Sequence, residues 1–227
     1  MWCIPDVTPE FVERMEHILG LYERSYNPKE PIICVDEKSK QLLQDTRTRI
    51  IQKNGVTRSD YEYKRNGTQN IFVAVEPKGG FRKVSVTKKR KKKDFAQFIQ
   101  DITHLKRYEY AKTIHIVLDN LNTHFAKSFY ETFAKKEAEK VLKKVQFHYT
   151  PKHASWLNMA EIEIGIMDRQ CTKGRMESQE KLKKNLRAWT KSRNKHKAKI
   201  HWRFTRENAR KKFKYERYEG SREKRKD

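Results

Sequence analysis

The chain has 227 residues, room for one large domain with an appendage, and its 36% hydrophobic content supports a core only if the apolar residues cluster. It carries 53 Lys and Arg against 29 Asp and Glu, a formal net charge of +24, and self-repulsion of that size is costly unless a polyanion such as nucleic acid neutralises it. No apolar stretch is long enough to span a bilayer, residues 1–10 lack a secretory pattern, and Cys3, Cys34 and Cys171 have no metal-ligand spacing, so a membrane protein and a secreted disulfide scaffold are not expected and a cytoplasmic location is.

In chain order, Phe11, Met15, Ile18 and Leu19 recur at helical spacing and predict an amphipathic helix that ends near Tyr26-Asn27-Pro28. Residues 31–36 (PIICVD) form an apolar run ending in an acid, as in a strand buried on both faces. Residues 37–68 are polar and give no clear element. Residues 70–76 (NIFVAVE) and 81–87 (FRKVSVT), joined by Pro77-Lys78-Gly79-Gly80, read as a hairpin. Six cations follow, Lys88, Lys89, Arg90, Lys91, Lys92 and Lys93. Asp94 and Gln97 then resemble a capping pair, opening a helix with Phe95, Phe98, Ile99, Ile102 and Leu105 on one face.

Residues 113–119 (TIHIVLD) are a second apolar strand ending in an acid, with His115 a core histidine. Asn122 or Thr123 is placed to cap a helix burying Phe125, Phe129 and Phe133. A short strand over 145–149 (VQFHY), a turn at Thr150-Pro151-Lys152 and a helix from about Leu157 to Arg169 follow. Residues 178–196 form a basic helix, Ile200, Trp202 and Phe204 alternate with polar residues, and Thr205 caps a last helix through Phe213. From Lys173 onward there are 22 Lys and Arg against 7 Asp and Glu, marking this quarter as a surface that tracks nucleic acid. The expected organisation is a linker and helix over 1–30, a core over 31–172, a basic helical extension over 173–213 and a polar tail over 214–227 too poor in apolar residues to pack.

Asp36 and Asp119 each follow an uninterrupted apolar run, and ligand sites in sheets covered on both faces gather at strand ends. Neighbouring strands lie about 4.8 Å apart, so acids on adjacent strands can share a cation, which relieves their mutual repulsion. An Asp at a strand end often only starts a turn; two of them in so basic a chain favour a metal. A third acid is available on the 157–169 helix. Glu161 and Glu163 are about 200° apart there, so only one can face the strand ends, and periodicity leaves the choice open. The other is expected in a surface salt bridge.

The segments CVDEKSKQ (34–41), LDNLNTH (118–124) and YTPKHASWLN (149–158) followed by Glu161 resemble bacterial insertion-sequence transposases of the mariner-related group, with further support from Trp2-Cys3-Ile4-Pro5, residues 65–70 (RNGTQN) and Trp202-Arg203-Phe204-Thr205. The likeness runs to about residue 213. It implies an α/β RNase H-like fold, a mixed central sheet flanked by helices, and a DDE triad of Asp36, Asp119 and Glu161 acting as catalytic residues and metal ligands. Asn120, His124 and Asn158 would orient ligands or DNA. Lys38, Lys88 to Lys93, Lys152, His153 and Trp156 would contact DNA, although Trp156 serves equally as a packing residue. The implied cofactor is two Mg2+ ions, with Mn2+ able to substitute, because hard carboxylate oxygens suit them. The implied partners are double-stranded DNA, as transposon ends and as target at a TA dinucleotide, and a second copy of the chain, in a bacterial cytoplasm at the nucleoid. Such transposases carry helix-turn-helix modules ahead of the catalytic domain, and this sequence starts where the linker would stand. A silent DNA-binding remnant and a structure-specific nuclease of the same fold are the competing expectations.

Overall fold

The computed structural model describes residues 7–47, 50–51, 57–58, 61–121 and 123–215. The Trp2-Cys3-Ile4-Pro5 motif, the cap expected at Asn122 and most of the polar tail lie outside the described residues. Helix α1 (Pro9–Glu23) starts where Thr8 Oγ1 accepts from the Phe11 N–H at 3.2 Å and proline occupies the first turn. It buries Phe11, Met15, Ile18 and Leu19 and stops before the Tyr26-Asn27-Pro28 turn.

The central sheet has the order β5-β4-β1-β6-β7, with β1 (Ile32–Asp45), β4 (Tyr63–Glu76), β5 (Phe81–Thr87), β6 (Ile114–Leu118) and β7 (Val145–Tyr149). Strands β5, β4 and β1 are antiparallel, and β6 and β7 run parallel to β1. A separate two-stranded ribbon joins β2 (Ile50–Ile51) to β3 (Thr57–Arg58). The sheet is thus mixed, with helices on both faces, as expected.

Strand β1 departs from the sequence expectation. It does not end at Asp36 but continues to Asp45, pairing with β4 from Cys34↔Val75 to Asp45↔Tyr63. The extension is held by backbone hydrogen bonds, which leave no apolar signature, so the polar 37–45 and 63–69 stretches look structureless in sequence. Alternation puts Asp36, Lys38 and Lys40 on one face and Val35 and Glu37 on the other.

One face packs Ile33, Val35, Phe72, Ala74, Ile116 and Leu118 against α2 (Lys92–Thr103), α3 (Lys127–Tyr130) and α4 (Lys135–Lys144). Fully buried rings such as Phe72, Phe95 and Phe129 each contribute about 1.5–3 kcal/mol. The other face is covered by α1, α5 (Met159–Met167), α6 (Gln179–Lys195) and α7 (Arg206–Phe213), so the segments flanking 31–172 pack on the same sheet. His115 is buried, as expected, and forms a relay with His148 (2.9 Å) and His17 of α1 (2.7 Å).

Three local expectations change. Asp94 is not a cap but the third helical residue of α2, its Oδ2 accepting from the Lys91 N–H at 2.8 Å, while Gln97 bonds Gln100 and Asp101. The helix expected to bury three phenylalanines is broken into α3 and α4, leaving Phe125 42% exposed, Phe129 buried and Phe133 half-buried. There Ser128 and Thr132 hydroxyls donate to the Thr123 and Ser128 carbonyls, a local bonding pattern that competes with regular helix. Helix α5 begins at Met159 because Asn158 caps it, leaving Leu157 in a tight turn. In the β4–β5 turn, Gly80 has φ +68°, and a Cβ there would meet the Lys197 carbonyl oxygen at 2.4 Å, so only glycine fits.

Candidate active site

Three separate elements carry the candidate acids. Asp36 lies within β1, Asp119 follows the last residue of β6, and Glu161 sits in the first turn of α5. Asn158 joins two of them: its Oδ1 accepts from the Ala160 N–H at 3.1 Å, and its Nδ2 donates to the Val35 carbonyl at 2.9 Å, next to Asp36. The start of α5 is therefore pinned to the strand carrying the first acid. The buried Asn158 holds backbone rather than pointing at an open surface.

Burial pushes the Asp36 carboxyl up to about 7, and the charges of Glu37, Asp119 and Glu161 add to that rise against one opposing bond from the Glu37 N–H. Asp119 behaves oppositely. Burial would raise it, but its bond with His124 outweighs burial and holds it below the usual carboxylate range, and Arg90 of the basic run adds to the lowering. Asp119 Oδ1 takes both the His124 Nδ1 contact at 2.8 Å and the Leu121 N–H at 3.2 Å. Asp36 Oδ2, Asp119 Oδ2 and both Glu161 oxygens have no hydrogen-bond partner among the described residues.

The donor set fits a hard divalent cation: it consists of oxygens, and ionising Asp36 among other carboxylates is unfavourable until a positive charge joins them. Among the described residues, however, no three His, Cys, Asp or Glu side chains are drawn together at metal-binding distance. The carboxylates interact electrostatically without closing on one point.

His124 is the best-held residue of the site. Fully buried beside the Phe95 ring, it bridges Asp119 at 2.8 Å and Glu37 Oε1 at 3.0 Å. Burial alone would lower its pKa, but the two carboxylates outweigh burial and raise it to about 9. Because this folded value lies above the ordinary 6.5, the contribution is fully present below pH 6.5 and is lost as pH rises through about 9. It amounts to roughly 3 kcal/mol at about 1.4 kcal/mol per unit. In metal-free protein the melting temperature is expected to fall across this window, and His124→Gln to flatten the fall; identical pH profiles would contradict the bridge. The Glu37 side of it was not anticipated, since no sequence signal separates Glu37 from the surface acids around it.

The other candidate residues fall into two groups. Asn120 Oδ1 accepts from Arg14 of α1 at 3.1 Å and its Nδ2 donates to the Thr150 carbonyl, tying the loop after β6 to its surroundings. Lys38 is paired with Asp168, just beyond α5, and Trp156 packs edge-on to Phe204 at 5.5 Å. These three are built into the frame. Lys88, Lys89, Arg90, Lys91, Lys93, Lys152 and His153 are exposed, and Lys92 is paired with Glu131 at 2.8 Å. The expectation for the second glutamate of α5 is corrected: Glu163 is not in a surface salt bridge but fully buried, gripped by Arg82 and Arg193. Facing inward from α5, it meets the edge strand and α6 rather than solvent.

The candidate acids thus lie within one central strand, just past the end of its parallel neighbour and in the first turn of a helix. The sequence model of the DDE superfamily endonuclease matches residues 31–183, and the chain belongs to that family. No curated protein matches the chain. Among solved structures it is similar to the Mos1 transposase paired-end complex with left transposon end, at 16% identity over 87% of this chain and 62% of that one, with a TM-score of 0.56. It is also similar to the mariner Mos1 paired end complex with Mg (17% identity, 87% and 62% covered, TM-score 0.54) and to a pre-cleavage Mos1 transpososome (14%, 87% and 64%, 0.54). At these identities the likeness establishes the fold, which is RNase H-like as expected. The chain spans about three fifths of the Mos1 chains it matches.

Proposed function

We propose that this chain is the catalytic domain of a mariner-related DNA transposase, in which Asp36, Asp119 and Glu161 hold two Mg2+ ions, with Mn2+ able to replace them. The reading is supported by electrostatic coupling among acids on three separate elements: burial raises the Asp36 carboxyl to about 7, and the charges of Asp119 and Glu161 add to that rise. Metal ions held by these carboxylates would supply activation of water or a 3′-hydroxyl and charge stabilisation of the leaving oxygen.

The chain's own residues supply the rest. The Glu37 N–H orients Asp36, His124 holds Asp119 as a carboxylate, and Asn158 sets the start of the helix that presents Glu161. Lys88, Lys89, Arg90, Lys91 and Lys93, with Lys152, offer exposed positive charge to DNA phosphates, and His153 is exposed beside Lys152. On this reading the substrates are duplex transposon ends and target DNA, and the working form is a dimer on DNA at the bacterial nucleoid.

Strand transfer of pre-cut transposon ends into plasmid DNA tests the proposal directly. Joining is expected with Mg2+, none after chelation, and none with Asp119→Asn. Cutting without joining would favour a structure-specific nuclease, and neither activity with intact DNA binding would favour a silent remnant.

A further inference from the structure

Glu163 accepts from Arg82 Nε at 2.7 Å and Nη2 at 3.0 Å, and from Arg193 Nε and Nη2 at 3.1 Å each. Both carboxylate oxygens are thus engaged by two guanidinium forks. The side chains of Glu163 and Arg82 are fully buried, and that of Arg193 is 19% exposed. Arg82 comes from edge strand β5, Glu163 from α5 and Arg193 from α6. Three elements therefore meet on one carboxylate two residues from Glu161.

Two residues along a helix is about 200°, so a glutamate fixed on one side of α5 dictates where the other side points. Asn158 ties the start of α5 to β1 through one hydrogen bond to the Val35 carbonyl. Four charge-assisted bonds to Glu163 hold the opposite side of the helix, and a planar fork tolerates little rotation of its partner. Trp189 of α6 adds a second tie, donating from Nε1 to Gln170 just past α5 at 2.9 Å.

We propose that Arg193, acting through Glu163, is a positioning residue that sets the rotation of α5 and so aims Glu161 toward Asp36 and Asp119. The inference rests on the reading of Glu161 as the third metal-holding acid. It gives the basic helix α6 a task besides contacting DNA: its last turns hold the catalytic helix in register.

Arg193→Gln is the informative variant, because it leaves the Arg82–Glu163 pair charge-balanced. The measurement is the rise in melting temperature of the whole chain as Mn2+ alone is titrated in, with no DNA and no turnover. Outer positioning partners of metal sites typically matter 10–100-fold, so the Mn2+ concentration at half-effect is expected to rise by about that factor, and by less in Arg193→Lys, which keeps the charge but loses the fork. Arg210→Gln is the control. Arg210 makes an equally forked pair, at 2.7 Å to both Glu16 oxygens, but joins α7 to α1 and leaves α5 alone. It is expected to lower the melting temperature without moving the Mn2+ midpoint.

A midpoint unchanged in Arg193→Gln overturns the proposal, as does an unchanged midpoint in Arg193→Lys should the glutamine variant fail to fold. A Mn2+ response retained in Glu161→Gln overturns it too, by removing the site reading beneath it. Loss of the response in Glu161→Gln with an unmoved midpoint in the Arg193 variants rejects the positioning role alone.

Discussion

Asp36→Asn, Asp119→Asn and Glu161→Gln are each expected to lower Mg2+-dependent strand cleavage by about a thousandfold or more. Charge stabilisation by a metal at a phosphoryl centre is worth several kcal/mol, and each tenfold in rate corresponds to about 1.4 kcal/mol. All three substitutions keep side-chain volume and remove a negative charge, so the fold should survive. For Asp36 the change should even stabilise metal-free protein above neutral pH. Its folded value of about 7 exceeds the ordinary 3.8, so ionisation opposes folding as pH rises from about 4 to 7 and beyond. Cleavage rates from a labelled duplex, with melting curves for each variant, check both statements. Near-normal cleavage in any one variant would remove that residue from the set.

Glu163→Gln carries the largest expected cost to stability. It leaves Arg82 fully buried with a weaker partner, and Arg82 Nη1 already lacks one among the described residues. Arg193 would lose its counter-charge at the same time. Breaking a buried ion pair by removing one partner typically costs about 3–5 kcal/mol, which urea unfolding would read as a lower midpoint at unchanged slope. A loss below about 1 kcal/mol would show that the two arginines find other partners and that the network does not anchor α5. The substitution is consequently not a neutral companion to Glu161→Gln, as a surface position would have been.

Much of this was readable from residue order. The apolar runs before Asp36 and Asp119 mark strands of the central sheet, the 70–87 hairpin is where its alternation puts it, and the Thr205 cap opens α7. What escaped reading shares a physical cause. The second half of β1 and the first half of β4 are joined by main-chain bonds that any residue can make, so Lys38, Lys40 and Gln41 conceal a strand. Phe125, Phe129 and Phe133 have helical spacing, yet that pattern cannot register Ser and Thr hydroxyls bonding nearby carbonyls.

The site follows the same division. The candidate acids Asp36 and Asp119 stand out by their place after apolar runs, whereas the residues that bond around them do not. Glu37 bonding His124, Arg14 bonding Asn120 and Arg193 bonding Glu163 join residues 87, 106 and 30 positions apart, and only folding brings them together. Glu161 and Glu163 are the clearest case. Periodicity could not separate them, and they differ in what each meets: Glu161 is exposed without a partner, while Glu163 is buried under two arginines.

The most direct test of the carboxylate site is diffraction from crystals of the chain soaked in Mn2+, using the anomalous signal of the metal to locate it. The account predicts density bounded by the Asp36, Asp119 and Glu161 carboxylates, with the free Oδ2 atoms of the two aspartates turned toward it. Saturating Mn2+ that binds elsewhere, or leaves these three side chains without a shared ion, would contradict it.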